Sequence, residues 1–166
     1  MTSNAVRAVC FDASVLVALR TSEPYSSQVK GWCANEPGAY TTPFCFYEAL
    51  NIFKSKWKYR GQLTEAEYAQ CCRSLVAWFG GITRRGFVKD PELTSYDALA
   101  WVTNVVSSTQ LDFSDAYQVY SVKHGYFSPL SGDSCTVLAT TDKNLAVAAR
   151  SLGILAIDLT CEAVPS

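Results

Sequence analysis

The stretch Ala5-Val6-Arg7-Ala8-Val9-Cys10-Phe11-Asp12-Ala13 decides the fold, because its short apolar run ends abruptly at an acidic residue. Such a run predicts a buried strand of a parallel sheet over residues 5–11. Asp12 would then lie where the strand gives way to a functional loop. A second interpretation is that Asp12 caps a helix beginning at Ala13, and both roles can hold together.

Helix and strand signals alternate along the rest of the chain. Thr42 followed by Pro43 is typical of a helix start, Thr64 and Glu67 fit a capping box, and Gly80-Gly81 predicts the end of that helix. Residues 126–134 are predicted to be a loop. The predicted helices are 13–20, 25–34, 43–59, 64–79, 94–108, 112–125 and 143–152, and the later strands are 39–42, 86–88, 135–141 and 154–157.

This alternation predicts an α/β fold with a mainly parallel sheet covered on both faces. The length of 166 residues fits one domain over residues 1–166. Parallel sheets bind ligands at the carboxyl ends of their strands, and Asp12 and Asp142 each directly follow a predicted strand. We therefore expect both carboxylates at that edge.

Composition excludes several classes of protein. Apolar residues make up 49% of the chain and charged residues 17%, which is typical of a globular domain. No apolar run approaches the roughly 18 residues of a membrane span, and the start of the chain does not resemble a secretory signal, so we expect a cytoplasmic protein with no membrane partner. The net charge is −1, so any nucleic-acid binding must come from a local patch.

The seven cysteines do not predict a metal site. Their count is odd, no Cys-x-x-Cys pair occurs, and His124 is the single histidine. We interpret the cysteines as small buried hydrophobic residues in a reducing compartment. His124 stands before Gly125 near a predicted helix end, which favours a solvated or capping role over catalysis.

Four acids are candidates for a divalent-cation site, which needs oxygen ligands gathered from separate elements. Glu48 is the least expected, because it and Asn51 are the only strongly polar residues in the stretch 44–53 and share one helix face. Its alternative is an acid at the edge of a partly exposed stripe. Asp115 and Asp142 have capping or helix-dipole alternatives.

Four short motifs resemble the successive signatures of PIN-domain nucleases, in the family's order. They are Phe11-Asp12-Ala13-Ser14-Val15-Leu16, Glu48-Ala49-Leu50-Asn51, Leu111-Asp112-Phe113-Ser114-Asp115-Ala116 and Thr140-Thr141-Asp142-Lys143-Asn144-Leu145. The resemblance covers almost the whole chain, up to residues 155–157, and is closest to the toxin ribonucleases of VapC type.

The resemblance implies a three-layer α/β/α domain with a five-stranded, mainly parallel sheet. It implies an endoribonuclease that hydrolyses phosphodiester bonds of single-stranded RNA with Mg²⁺ or Mn²⁺, a small antitoxin partner and a homodimer. Many relatives carry a further acid where this chain has Asn144, so we expect one firmly bound ion and a second arriving with substrate. The implied metal ligands and catalytic residues are Asp12, Glu48, Asp115 and Asp142, supported by Ser14, Asn51, Thr140 and Asn144.

The segment from Lys54 to Arg60 is the predicted RNA-binding patch, since its cations and aromatic residues suit backbone neutralisation and base stacking. The alternative is an ordinary solvated helix end. A second, weaker basic group is Arg84, Arg85 and Lys89. The residues predicted to bind RNA are Lys54, Lys56, Trp57, Lys58 and Arg60.

Two rival classes remain. The first is a PIN-like module that binds RNA or protein without cutting, and the amide at Asn144 keeps this alternative open. A haloacid-dehalogenase-like phosphatase also begins with a strand and an aspartate, but that family resembles Asp-x-Asp and the second position here is Ser14.

Overall fold

The computed structural model describes residues 8–34, 39–86, 88, 94–125 and 136–161. Its elements alternate much as the sequence predicts. In chain order they are β1 (Val9–Phe11), α1 (Ala13–Ala18), α2 (Ser26–Ala34), β2 (Ala39–Tyr40), α3 (Pro43–Lys58), α4 (Glu65–Arg84), α5 (Tyr96–Ser108), α6 (Phe113–Lys123), β3 (Val137–Thr140), α7 (Lys143–Ser151) and β4 (Leu155–Asp158).

The strands form one parallel sheet in the order β2-β1-β3-β4. Val9 pairs with Val137 in the centre, where β1 and β3 are adjacent. The prediction of an α/β fold with a parallel sheet is confirmed. The described residues form four strands rather than five: the predicted strand 86–88 is represented by one parallel bridge between Thr41 and Val88, and residue 87 lies outside the described part.

The sheet is packed on both faces because neighbouring residues of a strand point to opposite sides. Phe11 belongs to a hydrophobic cluster with residues of α1 to α4, including Trp32 and Phe53. Cys10 belongs to a second cluster with residues of α5 to α7, including Val102 and Leu145. Packing on both faces of the sheet therefore holds the end of β1 in place, and with it Asp12, the residue that follows.

Helix α4 corrects one boundary of the sequence analysis. Its N-terminus has the predicted capping box of Thr64 and Glu67, but the helix continues through Gly80-Gly81 to Arg84. Glycine in a helix costs only about 0.5–1 kcal/mol relative to alanine, and Ile82 beyond the pair is 2% exposed. Burial of Ile82 offsets the glycine cost, so the prediction that the pair ends the helix was wrong.

Burial of hydrophobic residues is incomplete on some helices. Val76 of α4 and Leu99 of α5 are 54% and 46% exposed. Among the described cysteines, Cys10, Cys45 and Cys71 are buried as expected, whereas Cys161 is exposed. The predicted loop 126–134 lies outside the described residues, as does Cys135.

Within the described ranges, no helix is both long and apolar enough to cross a bilayer.

Candidate metal centre

Asp12 stands at the carboxyl edge of the sheet and caps α1. Its backbone N–H donates to the carbonyl of Ala139 at 3.1 Å, which ties the end of β1 to β3. Its Oδ1 accepts a hydrogen bond of 2.6 Å from the N–H of Ala13. Asp12 is only 3% exposed and caps α1 from the edge of the sheet. The same side chain can therefore act both as a helix cap and as part of a site.

Ser14 and Thr140 hold the other oxygen of Asp12. The hydroxyls of Ser14 and Thr140 donate to Oδ2 at 2.5 and 2.9 Å. The same hydroxyls accept from the backbone N–H groups of Thr141 and Asp142, each at 2.9 Å. This network joins the ends of β1 and β3 and fixes the Asp12 carboxylate against rotation.

Glu48 lies in the second turn of α3, where Thr42 and Pro43 start the helix as predicted. Its Oε2 accepts a hydrogen bond of 2.5 Å from the hydroxyl of Ser114 in α6. Burial raises the pKa of Glu48, the Ser114 hydrogen bond lowers it, and the charges of Asp12 and Asp112 raise it further. Glu48 is thus a half-buried acid at the junction of two helices, close to other acids.

Asp115 lies in the first turn of α6 and is the most strongly perturbed of these carboxyls. Burial raises the pKa of Asp115 to about 8, and the nearby negative charges of other carboxylates add to the rise. Since such interactions require short separations, these acids share one region. The carboxylates that act on Asp115 are, in decreasing order of effect, Asp12, Asp112, Glu48 and Asp142.

Asp142 caps α7 at the end of β3. Its Oδ1 accepts hydrogen bonds from the N–H groups of Asn144 and Leu145, at 2.7 and 3.2 Å. The residue is exposed, so it forms the open side of the acidic region. The capping alternative considered for Asp142 holds, and its charge still reaches Asp115.

Two further residues, Asp112 and Ser114, belong to the region although their motif did not predict it. Asp112 caps α6 through a 2.9 Å hydrogen bond from the N–H of Asp115, and its charge acts on both Glu48 and Asp115. Ser114 anchors Glu48. Both residues stand in the third motif, but only their tertiary neighbours give them these roles.

Asn51 and Asn144, predicted to support the site, are exposed. Asn51 follows Glu48 by three residues on α3 and therefore lies on nearly the same face. Asn144 contacts the region through its backbone N–H to Asp142.

The acidic region fits a hard divalent cation by donor type and by charge. Five carboxylates come from four elements, and burial together with the charges of the neighbouring carboxylates raises the pKa of Asp115. Among the residues that the structure describes, no three acid, histidine or cysteine side chains stand in a ready coordinating arrangement.

The residues of the predicted RNA patch differ in their surroundings. Lys56 forms an ion pair with Glu23 and donates to Gln62 at 3.3 Å. One face of Trp57 stacks on Tyr68, with 4.7 Å between ring centroids, and the Nζ of Lys58 lies 5.2 Å from the Trp57 ring. Lys54, Lys58 and Arg60 are exposed.

His124 is the C-cap residue of α6, as one of its two interpretations predicted. Its ring contacts Trp101 and Tyr120, with centroid distances of 5.5 and 5.6 Å. Burial, followed by the charge of Lys123, lowers the pKa of His124. The histidine belongs to the end of α6 away from Asp115.

A scan against protein-family models finds no match to this chain, and no curated protein matches its sequence. The class of site is therefore defined by the fold and its side chains: an acidic region at the carboxyl edge of a parallel sheet.

Proposed function

We propose that the protein is a metal-dependent endoribonuclease of PIN type that hydrolyses single-stranded RNA. The observation that carries the proposal is the pair of hydrogen-bonded links between the elements of the predicted ligands: Thr140 joins Asp12 to Asp142, and Ser114 joins Glu48 to α6. In keeping with this, burial and then the charges of the neighbouring carboxylates raise the pKa of Asp115. The predicted ligands follow β1, lie within α3 and α6, and follow β3, so four elements contribute to one region. Capping alone does not require such convergence.

The charge of the region supports a divalent cation of the Mg²⁺ or Mn²⁺ type. Clustered carboxylates are costly unless a cation neutralises them. In the absence of a cation, Asp115 keeps its proton near neutral pH, as its raised pKa indicates, and the proton removes one of the clustered negative charges. A bound cation would replace that proton and let all of the acids ionise.

The predicted ligands would have different roles in such a site. Asp12, held by Ser14 and Thr140, and Glu48, held by Ser114, would supply fixed oxygen ligands. The partly buried Asp115 and the exposed Asp142 would complete the set. When bound, the cation would activate water and stabilise negative charge on the phosphate oxygens.

The exposed cations of α3 support the choice of substrate. With a rise of 1.5 Å per residue, Lys54 and Lys58 lie about 9 and 15 Å along the helix from Glu48. They could hold phosphates of a strand whose scissile bond lies at the acids. A single strand suits the open edge, since its backbone can follow the helix without a partner strand.

Several finer expectations belong to this proposal. The segment 86–88, which already bridges Thr41 through Val88, would complete a fifth strand of the three-layer α/β/α domain. One ion would be held firmly and a second would arrive with substrate, because Asn144 supplies an amide where another acid would strengthen binding. A small antitoxin would cover the acidic edge of a cytoplasmic homodimeric toxin of VapC type.

A non-catalytic PIN-like module that binds RNA or protein is the second candidate, kept open by the amide of Asn144 where many relatives carry a further acid. The phosphatase alternative is less favoured, because Ser14 uses its hydroxyl to hold Asp12 instead of offering a second carboxylate.

The experiment that tests the proposal compares cleavage of mixed cellular RNA by the purified protein and two variants, Asp12→Asn and Asp115→Asn. Mg²⁺ or Mn²⁺ should support cleavage by the wild type, and EDTA should abolish it. Asp97→Asn, which changes an exposed acid in the first turn of α5, is the matched control and should cleave like the wild type. Equal cleavage by all four proteins would contradict the nuclease assignment.

Thermal unfolding in the same cations, read together with the cleavage assay, separates the second candidate. A nuclease and a metal-binding module would both be stabilised by Mn²⁺, by an amount that rises with the logarithm of the ligand excess over Kd, and Asp115→Asn would lose that effect. Only the nuclease would also cleave RNA. Absence of both effects would reject a metal site at these acids.

A further inference from the structure

A cavity of about 460 Å³ lies between α2, β2 and α4, with Phe11 of β1 also in its wall, and none of its described lining residues is one of the acids of the candidate metal centre. Three cationic side chains line it: Arg20, just after α1, Lys30 of α2, and Arg85, the C-cap residue of α4. Trp78 and Ile82 provide apolar walls. The size falls within the range of small-molecule sites in proteins.

Within the described part of the chain, the charged residues that line this cavity are all cationic, so its described wall is one-sided in charge. A neighbouring cavity of about 420 Å³, which shares Arg20, gives the contrast, since there Lys56 is paired with Glu23 and Glu67 is also in the wall. The one-sided cavity therefore favours an anion, whereas the neighbouring cavity is balanced.

Arg20 lies in the wall with spare hydrogen-bonding capacity. Its Nη1 donates to the carbonyl of Leu16 at 2.9 Å, and its guanidinium lies 5.2 Å from the Trp78 ring centroid. In the described part of the chain, its buried Nε has no hydrogen-bond partner. A buried donor without a partner is costly, so a ligand that accepts from it would gain affinity.

Position separates this cavity from the candidate metal centre. Asp12 caps the first turn of α1 at the sheet edge, and Arg20 follows the C-cap Leu19 at the other end. Eight residues at 1.5 Å each place the two about 12 Å apart along the helix axis. A ligand at Arg20 would therefore not need to contact the acids.

We propose that this cavity binds the phosphate group of a nucleotide-sized ligand. Two guanidinium groups and an ammonium group match the several oxygens of a phosphate dianion, and one carboxylate would not need three cations. The apolar walls at Trp78 and Ile82 take the uncharged body of the ligand. The proposal goes beyond the nuclease assignment and does not depend on it.

Two sources share this chemistry: a free nucleotide and the terminal phosphate of an RNA strand. Isothermal titration calorimetry in EDTA, which prevents metal-dependent cleavage, distinguishes them. The probes are AMP, adenosine, and one short oligoribonucleotide with either a 5′-phosphate or a 5′-hydroxyl. Because no divalent cation is present, failure of this test is distinct from failure of the nuclease proposal.

The test variant is the double substitution Lys30→Gln with Arg85→Gln, since both side chains are exposed and their loss leaves the core intact. We expect AMP to bind the wild type and the double variant to bind it at least about tenfold more weakly. Arg73→Ala, which removes an exposed arginine elsewhere on α4, is the matched control and should bind AMP like the wild type. Unchanged thermal unfolding checks that the double variant folds.

The probes then identify the source. Binding of AMP without binding of the 5′-phosphorylated strand would support a free nucleotide, and preference for the 5′-phosphate over the 5′-hydroxyl strand would support an RNA end. The proposal is overturned if neither AMP nor the phosphorylated strand binds. It is also overturned if adenosine binds as tightly as AMP, or if the double variant binds AMP like the wild type.

Discussion

The hydroxyl of Ser114 donates a hydrogen bond of 2.5 Å to Oε2 of Glu48 and joins α6 to α3 across the acidic region. Glu48 is thereby held in place although burial disfavours its charge. Because the bond is made to the charged form, Ser114 acts on both the position and the ionisation of Glu48.

Removal of this bond by Ser114→Ala should reduce RNA cleavage roughly tenfold or more, the effect of losing a hydrogen bond to a charged group. The pKa of Glu48 should rise further, because the variant loses the interaction that lowers it. The acid limb of the cleavage rate against pH should therefore move to higher pH. Ser107→Ala, at an exposed serine that bonds to the carbonyl of Thr103, should leave both the rate and the limb unchanged.

Replacement of Thr140 by valine keeps the volume of a fully buried side chain but removes its hydroxyl. Asp12 would lose one donor and the N–H of Asp142 would lose its acceptor. Thr140→Val should lower the free energy of unfolding by roughly 1–3 kcal/mol and reduce cleavage as well. Urea denaturation measures the first effect. Thr103→Val, at an exposed threonine of α5, should show neither loss.

The pH dependence of stability should report on Asp115. Its pKa is about 4 in the unfolded chain and rises to about 8 in the folded protein, first through burial and then through neighbouring carboxylates. Stability from this group is fully present below about pH 4 and is lost as pH rises to about 8, because ionisation opposes folding.

The variant Asp115→Asn should therefore unfold in EDTA at higher urea than the wild type at pH 8, with the difference vanishing near pH 4. Asp97→Asn should retain the pH dependence of the wild type. If the stability of Asp115→Asn falls with pH in parallel with that of the wild type, ionisation of Asp115 is not the cause of the pH dependence.

The cationic residues of the predicted RNA-binding patch, Lys54 to Arg60, should fall into two groups: those that bind RNA and one that stabilises the fold. The triple change Lys54→Ala, Lys58→Ala and Arg60→Ala should weaken RNA binding and reduce the slope of log K against log salt by about 2, at about 0.7 per phosphate contact. Lys56→Ala should instead lower the free energy of unfolding by roughly 1–3 kcal/mol, since it breaks the ion pair with Glu23. Fluorescence anisotropy over a salt series and urea denaturation measure the two effects. An unchanged salt slope would show that the predicted RNA-binding patch is only a solvated helix end.

Local signals predicted much of the fold. Thr42 with Pro43, and Thr64 with Glu67, start α3 and α4 as their sequences indicate, because caps join residues within one turn. The end of α4 was missed at Gly80-Gly81 because burial of Ile82, a tertiary effect, outweighs the local preference of glycine.

The sequence likewise predicted only part of the candidate site. The order of the four acids and their motifs could be read from the sequence, and the family resemblance implied supporting roles for Ser14 and Thr140. The contributions of Asp112 and Ser114 were not, since they depend on α6 meeting α3. The paired state of Lys56 also escaped the sequence, because its partner Glu23 precedes it by 33 residues.

The sequence by itself determined the parallel α/β pattern, the apolar strand that ends at Asp12, and the caps at Asp12 and Asp142, because these depend on periodicity and on contacts between residues a few positions apart. Only the tertiary structure brought Thr140 to Asp12 and Ser114 to Glu48, and placed Arg20, Lys30 and Arg85 around one cavity. The physical reason is that burial, repulsion between carboxylates and hydrogen bonds across the sheet depend on distances in space, which the packing of the helices on the sheet sets.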